Sequence, residues 1–166
     1  MRNAPPGRGA LLVLGLLLLA TGCALAPRQQ TSPVSTVDRR VVNPPGIAPL
    51  VPAYSVAIRA GEQVFVSGMT GIKPGTQDIV EGGVAVQTRQ TLENIRTAFD
   101  AAGAAMADVS ECTVFLVDMG DYAAMNRVYI EFFPVDPPAR ATVAVSALPR
   151  PTARVEIKCS AQLRQR

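Results

Sequence analysis

The sequence predicts an α+β fold in the order β-β-α-β-α-β-β, with two helices laid on one face of a mixed sheet. Three observations predict it. Short apolar–polar alternations bounded by glycine or proline recur between Tyr54 and Ala161. Two longer runs, Gly83 to Ala102 and Asp121 to Phe133, carry apolar residues at helical spacing instead. Strand-like runs come in pairs at both ends of the domain and singly between the helices, an order that a simple βαβ repeat does not give.

The first 22 residues read as an export signal, outside the fold. Arg2 and Arg8 form a basic start, and Leu11 to Ala20 is an apolar run broken only by Gly15. A bilayer span needs about 20 residues, whereas a signal-peptide core needs about 7–15. Ala20-Thr21-Gly22-Cys23 resembles a bacterial lipobox, with Ala20 where leucine is usual, and makes Cys23 the expected lipid acceptor. A plain secretory signal with a chance cysteine is the alternative. Leu25, where aspartate would retain a lipoprotein at the inner membrane, resembles outer-membrane sorting. The expected product is exported, a periplasmic or outer-membrane-anchored lipoprotein held by the lipid on Cys23. Residues 23–45, polar and proline-bearing, read as a disordered tether. The folded domain is expected over 46–162, close to the commonest domain size, with 163–166 as a tail.

Within the domain, Tyr54 to Arg59 and Gln63 to Ser67 read as strands about the turn Ala60-Gly61-Glu62. Lys73-Pro74-Gly75-Thr76 is a turn. Leu92, Ile95, Phe99 and Ala102 give the first helix its apolar face, and Gly103 ends it. Ser110 to Val117 is a strand. Asp121 is placed to cap a second helix whose stripe is Tyr122, Met125, Tyr129 and Phe132, and Pro134 and Pro137-Pro138 stop it. Arg140 to Ser146 and Arg154 to Ala161 are the last two strands.

Composition narrows the chemistry. The chain has no histidine, which excludes Ser-His-Asp and Cys-His nucleophiles, imidazole bases and histidine-ligated metals. The net charge of +3 belongs to the tails: from Ile47 to Gln162 there are nine basic and twelve acidic residues, so the domain is near −3. A nucleic-acid binder would show a basic face with aromatic platforms, and no nucleic-acid partner is expected. Cys112 and Cys159 lie in strand-like runs and read as buried free thiols, with a disulfide as the alternative in an oxidising compartment. They are too few for a structural zinc site, and no metal is expected.

The chemistry left open centres on Pro138-Ala139-Arg140-Ala141-Thr142-Val143 and on Val155-Glu156-Ile157, an arginine and a carboxylate on two neighbouring strand patterns. A guanidinium grips a carboxylate through two parallel hydrogen bonds. Alternation sets Arg140, Thr142 and Ala144 against Val143 and Val145, and Glu156 against Val155 and Ile157. A solvated sheet face with surface ion pairs would give the same pattern.

Read in order, Phe65-Val66-Ser67-Gly68, Gln87-Thr88-Arg89-Gln90-Thr91-Leu92-Glu93-Asn94, Ala101-Ala102-Gly103 and Thr113-Val114-Phe115-Leu116-Val117-Asp118 are followed by Asn126, Tyr129 and Phe132-Phe133. Pro138-Ala139-Arg140, Leu148-Pro149 and Val155-Glu156-Ile157 complete the set. With these residues at family spacing over about 110 positions, the domain resembles the RidA (YjgF, L-PSP) family of imine and enamine deaminases. The resemblance implies a chorismate-mutase-like α+β sandwich and a homotrimer with clefts between subunits. It implies that Arg140 holds the substrate carboxylate, that Glu156 positions or activates water, and that Tyr54, Ser67, Asn94 and Thr142 line the substrate site. Three further readings stand beside these roles: Ser67 as a backbone anchor, Asn94 as a cap or a bridge between loops, and Tyr54 as a ring packed in a subunit interface. Met69 stands where the family often has glutamine, and Thr142 where many members have cysteine, which alters the pocket wall. The implied substrate is a reactive 2-imino or 2-enamino acid, hydrolysed without a cofactor to a 2-keto acid and ammonia. A non-catalytic binder of small carboxylates, a periplasmic holdase and an endoribonuclease are the alternatives.

Overall fold

A computed structural model describes residues 38–164, so the calls on the leader, on Cys23 and on the tether up to residue 37 lie outside the described residues. Six strands form one sheet: β1 (Arg39–Val42), β2 (Ala57–Ala60), β3 (Gln63–Thr70), β4 (Val109–Leu116), β5 (Ala139–Ala144) and β6 (Val155–Gln162). Their order across the sheet is β1-β2-β3-β6-β4-β5. Every pairing is antiparallel except β4 with β5. Helices α1 (Val84–Ala102) and α2 (Tyr122–Phe132) cover one face. The α+β class with a mixed sheet and two helices is as expected.

The core is built where the helical stripe meets the strand alternation. Leu92, Ile95, Ala98, Phe99 and Ala102 of α1 are fully enclosed, packed with Val64 and Val66 of β3, Val114 and Leu116 of β4, and Val155 and Ile157 of β6. The α1 end is closed by Gly103 in the left-handed region (φ 84°), whose N–H reaches Asp100 O while that of Ala104 reaches Phe99 O. Arg59 ties this end to the β2–β3 turn, donating to Ala102 O at 3.2 Å and to Gly61 O at 3.0 Å. A cation at carbonyls of a helix C-terminus is the favoured sign.

Four expectations change. The tether ends earlier than residue 45, because Arg39–Val42 pair antiparallel with Ala57–Ala60. Asp121 does not cap α2 with its side chain. Its carboxylate takes Arg154 at 2.8 Å instead, and Asp118 accepts the Gly120 N–H of the preceding 3-10 turn. Cys112 and Cys159 are not free thiols. They face one another across the β4–β6 pairing and form a disulfide. Finally, the Arg140 and Glu156 strands are not neighbours, since β4 runs between β5 and β6.

Candidate functional site

The register separates Arg140 from Glu156 within one chain. Arg140 is level with Cys112, and Cys112 with Cys159, both of which face the helices. Glu156 is level with Phe115 and lies three residues from Cys159, so alternation turns it to the uncovered face. Two strand spacings and three residues part them, about 10 Å in each direction. They therefore belong to two half-clefts.

The first half-cleft lies between α2 and the edge strand β5. It is lined by Asn126, Arg127, Tyr129, Ile130, Pro137, Pro138 and Arg140. The Arg140 guanidinium carbon sits 4.5 Å from the centre of the Tyr129 ring and 5.8 Å from that of Tyr122. One of its N–H groups donates to the Tyr122 hydroxyl at 3.3 Å. No carboxylate pairs with Arg140 among the described residues. Aromatic faces hold a guanidinium without consuming its charge. Burial pushes the Tyr129 phenol up to about 12, against the pull of Arg140, so it stays protonated. The hydroxyls of Tyr129 and Thr142 are buried without a hydrogen-bond partner among the described residues.

The second half-cleft opens on the other face around Glu156, with Leu50, Val51, Tyr54, Ser67, Gly68 and Pro149 as its lining. The β3–β6 pairing slips between Val66 and Met69. A bulge of this kind re-aims side chains at a strand edge. Gly68 at the slip leaves room that the Glu156 carboxylate fills: a Cβ there would stand 2.1 Å from Oε1. Burial raises the Glu156 carboxyl above the usual carboxylate range, and no cation or hydrogen-bond donor meets it among the described residues. A carboxyl raised by burial and not committed to a partner is what general acid–base chemistry requires. The run before β6 is fixed from below by buried Gln87, which donates to Thr152 O and accepts the Arg154 N–H.

Three of the remaining expected site residues, Tyr54, Ser67 and Asn94, line pockets together with Glu156, but with their polar groups engaged. The Tyr54 hydroxyl accepts the Leu50 N–H at 2.8 Å and folds that loop over the cleft. The Ser67 hydroxyl donates to Ser55 O at 2.7 Å, so the backbone-anchor reading of Ser67 describes its contact. Both amide protons of Asn94 are spent on Thr70 O and Ile72 O, and its oxygen accepts Gln90. Asn94 thus bridges loops under the pocket and has no donor left for a ligand. Thr142 lies on the Arg140 side of the sheet, away from Glu156.

Sequence reasoning overlooked Gly68, Arg127 and the two tyrosines as members of a site. An in-strand glycine was a signal for a close approach. Tyr122 and Tyr129 were absorbed into a helical stripe, although Tyr122 is 40% exposed. Among the described residues no group of three or more His, Cys, Asp and Glu side chains could hold a metal ion, and no helix is long and apolar enough to cross a membrane.

Comparisons with known proteins bear on the family and the fold. The family model described as Endoribonuclease L-PSP matches residues 47–163. A RutC family protein of Pyrococcus horikoshii is 50% identical over 97 residues, 58% of this chain and 77% of the relative. A 2-iminobutanoate/2-iminopropanoate deaminase of Mus musculus is 34% identical over 128 residues, 77% of this chain and 94% of the relative. The crystal structure of RidA from an Antarctic Psychrobacter superposes with a TM-score of 0.71 at 34% identity, over 75% of this chain and 99% of that one.

Proposed function

We propose a function from the premise that the chain belongs to the endoribonuclease L-PSP family, the family of the RidA deaminases: it hydrolyses reactive 2-imino and 2-enamino acids to 2-keto acids and ammonia. One observation carries the reading. Among the described residues, Arg140 has no carboxylate partner in one half-cleft, and Glu156 has no cation partner in the other. A substrate with a carboxylate beside an electrophilic carbon complements both, once a second copy sets its Glu156 half-cleft against the Arg140 half-cleft of the first. The proposed assembly is a homotrimer with three such clefts.

In the proposed reaction the substrate carboxylate sits on Arg140, and an enamine first tautomerises to the imine. Glu156 takes a proton from water as the water oxygen bonds to the imine carbon, and passes it to the imine nitrogen, giving a neutral carbinolamine. Glu156 then takes the hydroxyl proton and delivers it to nitrogen as the C–N bond breaks, so that ammonia leaves and the carbonyl of the 2-keto acid forms. The imine carbon is already electrophilic, so positioning and charge pairing supply the rate gain without a cofactor. The negative domain and the lack of histidine favour this small-molecule reading over RNA cleavage.

The proposal extends to place. The basic start, the apolar run from Leu11 to Ala20 and Cys23 support export and lipidation. The Cys112–Cys159 disulfide supports an oxidising compartment. Incorporation of a labelled fatty acid, absent in Cys23→Ala, tests the anchor; equal labelling of both proteins would sink it.

The activity is tested with imino acids generated in situ by an amino-acid oxidase, residual imine being trapped with semicarbazide. Wild type should accelerate imine loss, and Arg140→Ala should lose about 10–100-fold, the worth of charge-assisted hydrogen bonds. Wild type no faster than buffer, in a folded protein that still binds 2-keto acids, would leave a carboxylate binder in place of an enzyme.

A further inference from the structure

Arg140 is not the only donor its half-cleft offers. A phenol oxygen carries one proton and two lone pairs. At Tyr122 the Arg140 N–H donates to that oxygen at 3.3 Å. The neighbouring Asn126 side chain, one turn along α2, and then the charge of Arg140 hold the phenol below its usual range. The Tyr122 hydroxyl thus accepts from Arg140, and its own proton is donated to no group among the described residues.

The ring is not core material. Met125 and Tyr129, on the same helical stripe, are buried, whereas Tyr122 stays 40% exposed. Beneath the guanidinium, the Tyr129 ring at 4.5 Å sets its plane. Among the described residues, a guanidinium fork with no carboxylate partner and a phenol proton with no protein acceptor thus stand one hydrogen bond apart. A carboxylate has two oxygens and about four acceptor sites, enough to take the arginine and a second donor together.

We propose that the Tyr122 hydroxyl is a second donor to the substrate carboxylate, held beside Arg140 by α2. The assignment rests on the reading of Arg140 as the carboxylate grip. It makes carboxylate recognition a two-residue function: the arginine supplies charge and the tyrosine fixes which way the carboxylate faces. Substrates without a carboxylate gain nothing from it.

A double-mutant cycle tests it on the full-length protein, by NMR titration with a 2-keto acid, 2-ketobutanoate. Tyr122→Phe keeps the ring and its packing and removes only the hydroxyl. Arg140→Lys keeps the charge and loses the fork. Tyr122→Phe should weaken 2-ketobutanoate about tenfold, and should still weaken it when Arg140→Lys is already present, by a factor that can differ because the two donors are neighbours on one carboxylate. Unchanged affinity in Tyr122→Phe overturns the donor and leaves the Arg140 reading intact. A loss seen only with Arg140 present also overturns it, since the hydroxyl would then act through the arginine. Undiminished binding in Arg140→Ala overturns the arginine reading itself, and the second donor with it.

Discussion

A Cβ on Gly68 would stand 2.1 Å from Glu156 Oε1 and 3.2 Å from its Cγ, so Gly68→Ala forces the glutamate side chain off its place. The neighbour that must give is a flexible side chain, so the fold tolerates the change. Gly68→Ala should bind 2-keto acids through Arg140 much as wild type does, yet lose turnover by about 100-fold or more, as misplaced catalytic groups do. Retained turnover would show that Glu156 is not needed where it lies. Glu156 also couples the site to stability. Its carboxyl is raised in the folded protein by burial, so folding favours the protonated form. The favourable contribution is therefore present below the unfolded glutamate pKa, about 4.3, and is lost as pH rises through the folded value. Glu156→Gln, which never ionises, should gain stability over wild type at pH 7 and lose that gain near pH 4 while being inactive at both. Urea unfolding of the two proteins at each pH measures this, and an equal gap at both would remove burial as the cause.

The element with the largest energetic surprise is the β4–β6 pair. The Cys112–Cys159 disulfide closes a loop of 47 residues at the centre of the sheet. By loop entropy such a closure is worth about 4 kcal/mol. Replacing both cysteines with valine, or reducing the bond under mild denaturant, should lower the melting temperature by about 10 °C, and a shift under 2 °C would mean that packing alone holds the pair. Sequence alone did not reveal the bond because spacing says nothing of register, and register is what puts Cys112 opposite Cys159. Elements set by local chemistry were legible: Leu92, Ile95 and Phe99 with Gly103 marked α1 and its end. Elements set by partners were not. Arg39–Val42 is exposed at three of its four positions and becomes a strand only because β2 offers an edge. Asp121 looked like a cap, but Arg154, distant in sequence, claims its carboxylate. The site followed the same rule. Arg140 and Glu156 were legible as residue types, while the faces they occupy depended on the strand order, which inserts β4 between them.

At the scale of the whole molecule, the separation of Arg140 and Glu156 becomes a test of the proposed assembly. If one chain supplied both groups, mixing two inactive variants would give only inactive sites. If each cleft takes Arg140 from one copy and Glu156 from another, Arg140→Ala and Glu156→Gln subunits can complement. Unfolded together and refolded as an equal mixture, they should form mixed trimers in which about a quarter of the clefts pair an intact arginine with an intact glutamate. Imine hydrolysis should then return to about a quarter of the wild-type rate, from two preparations that are each inactive alone. The sheet surface supports such an encounter: Val41, Phe65 and Val143 lie exposed on the face that no helix covers. Light scattering on the same sample gives the mass, and a trimer whose mixture stays inactive would separate association from catalysis, confining the deaminase site to a single chain and requiring Glu156 to be replaced in the mechanism by a group on the Arg140 side of the sheet.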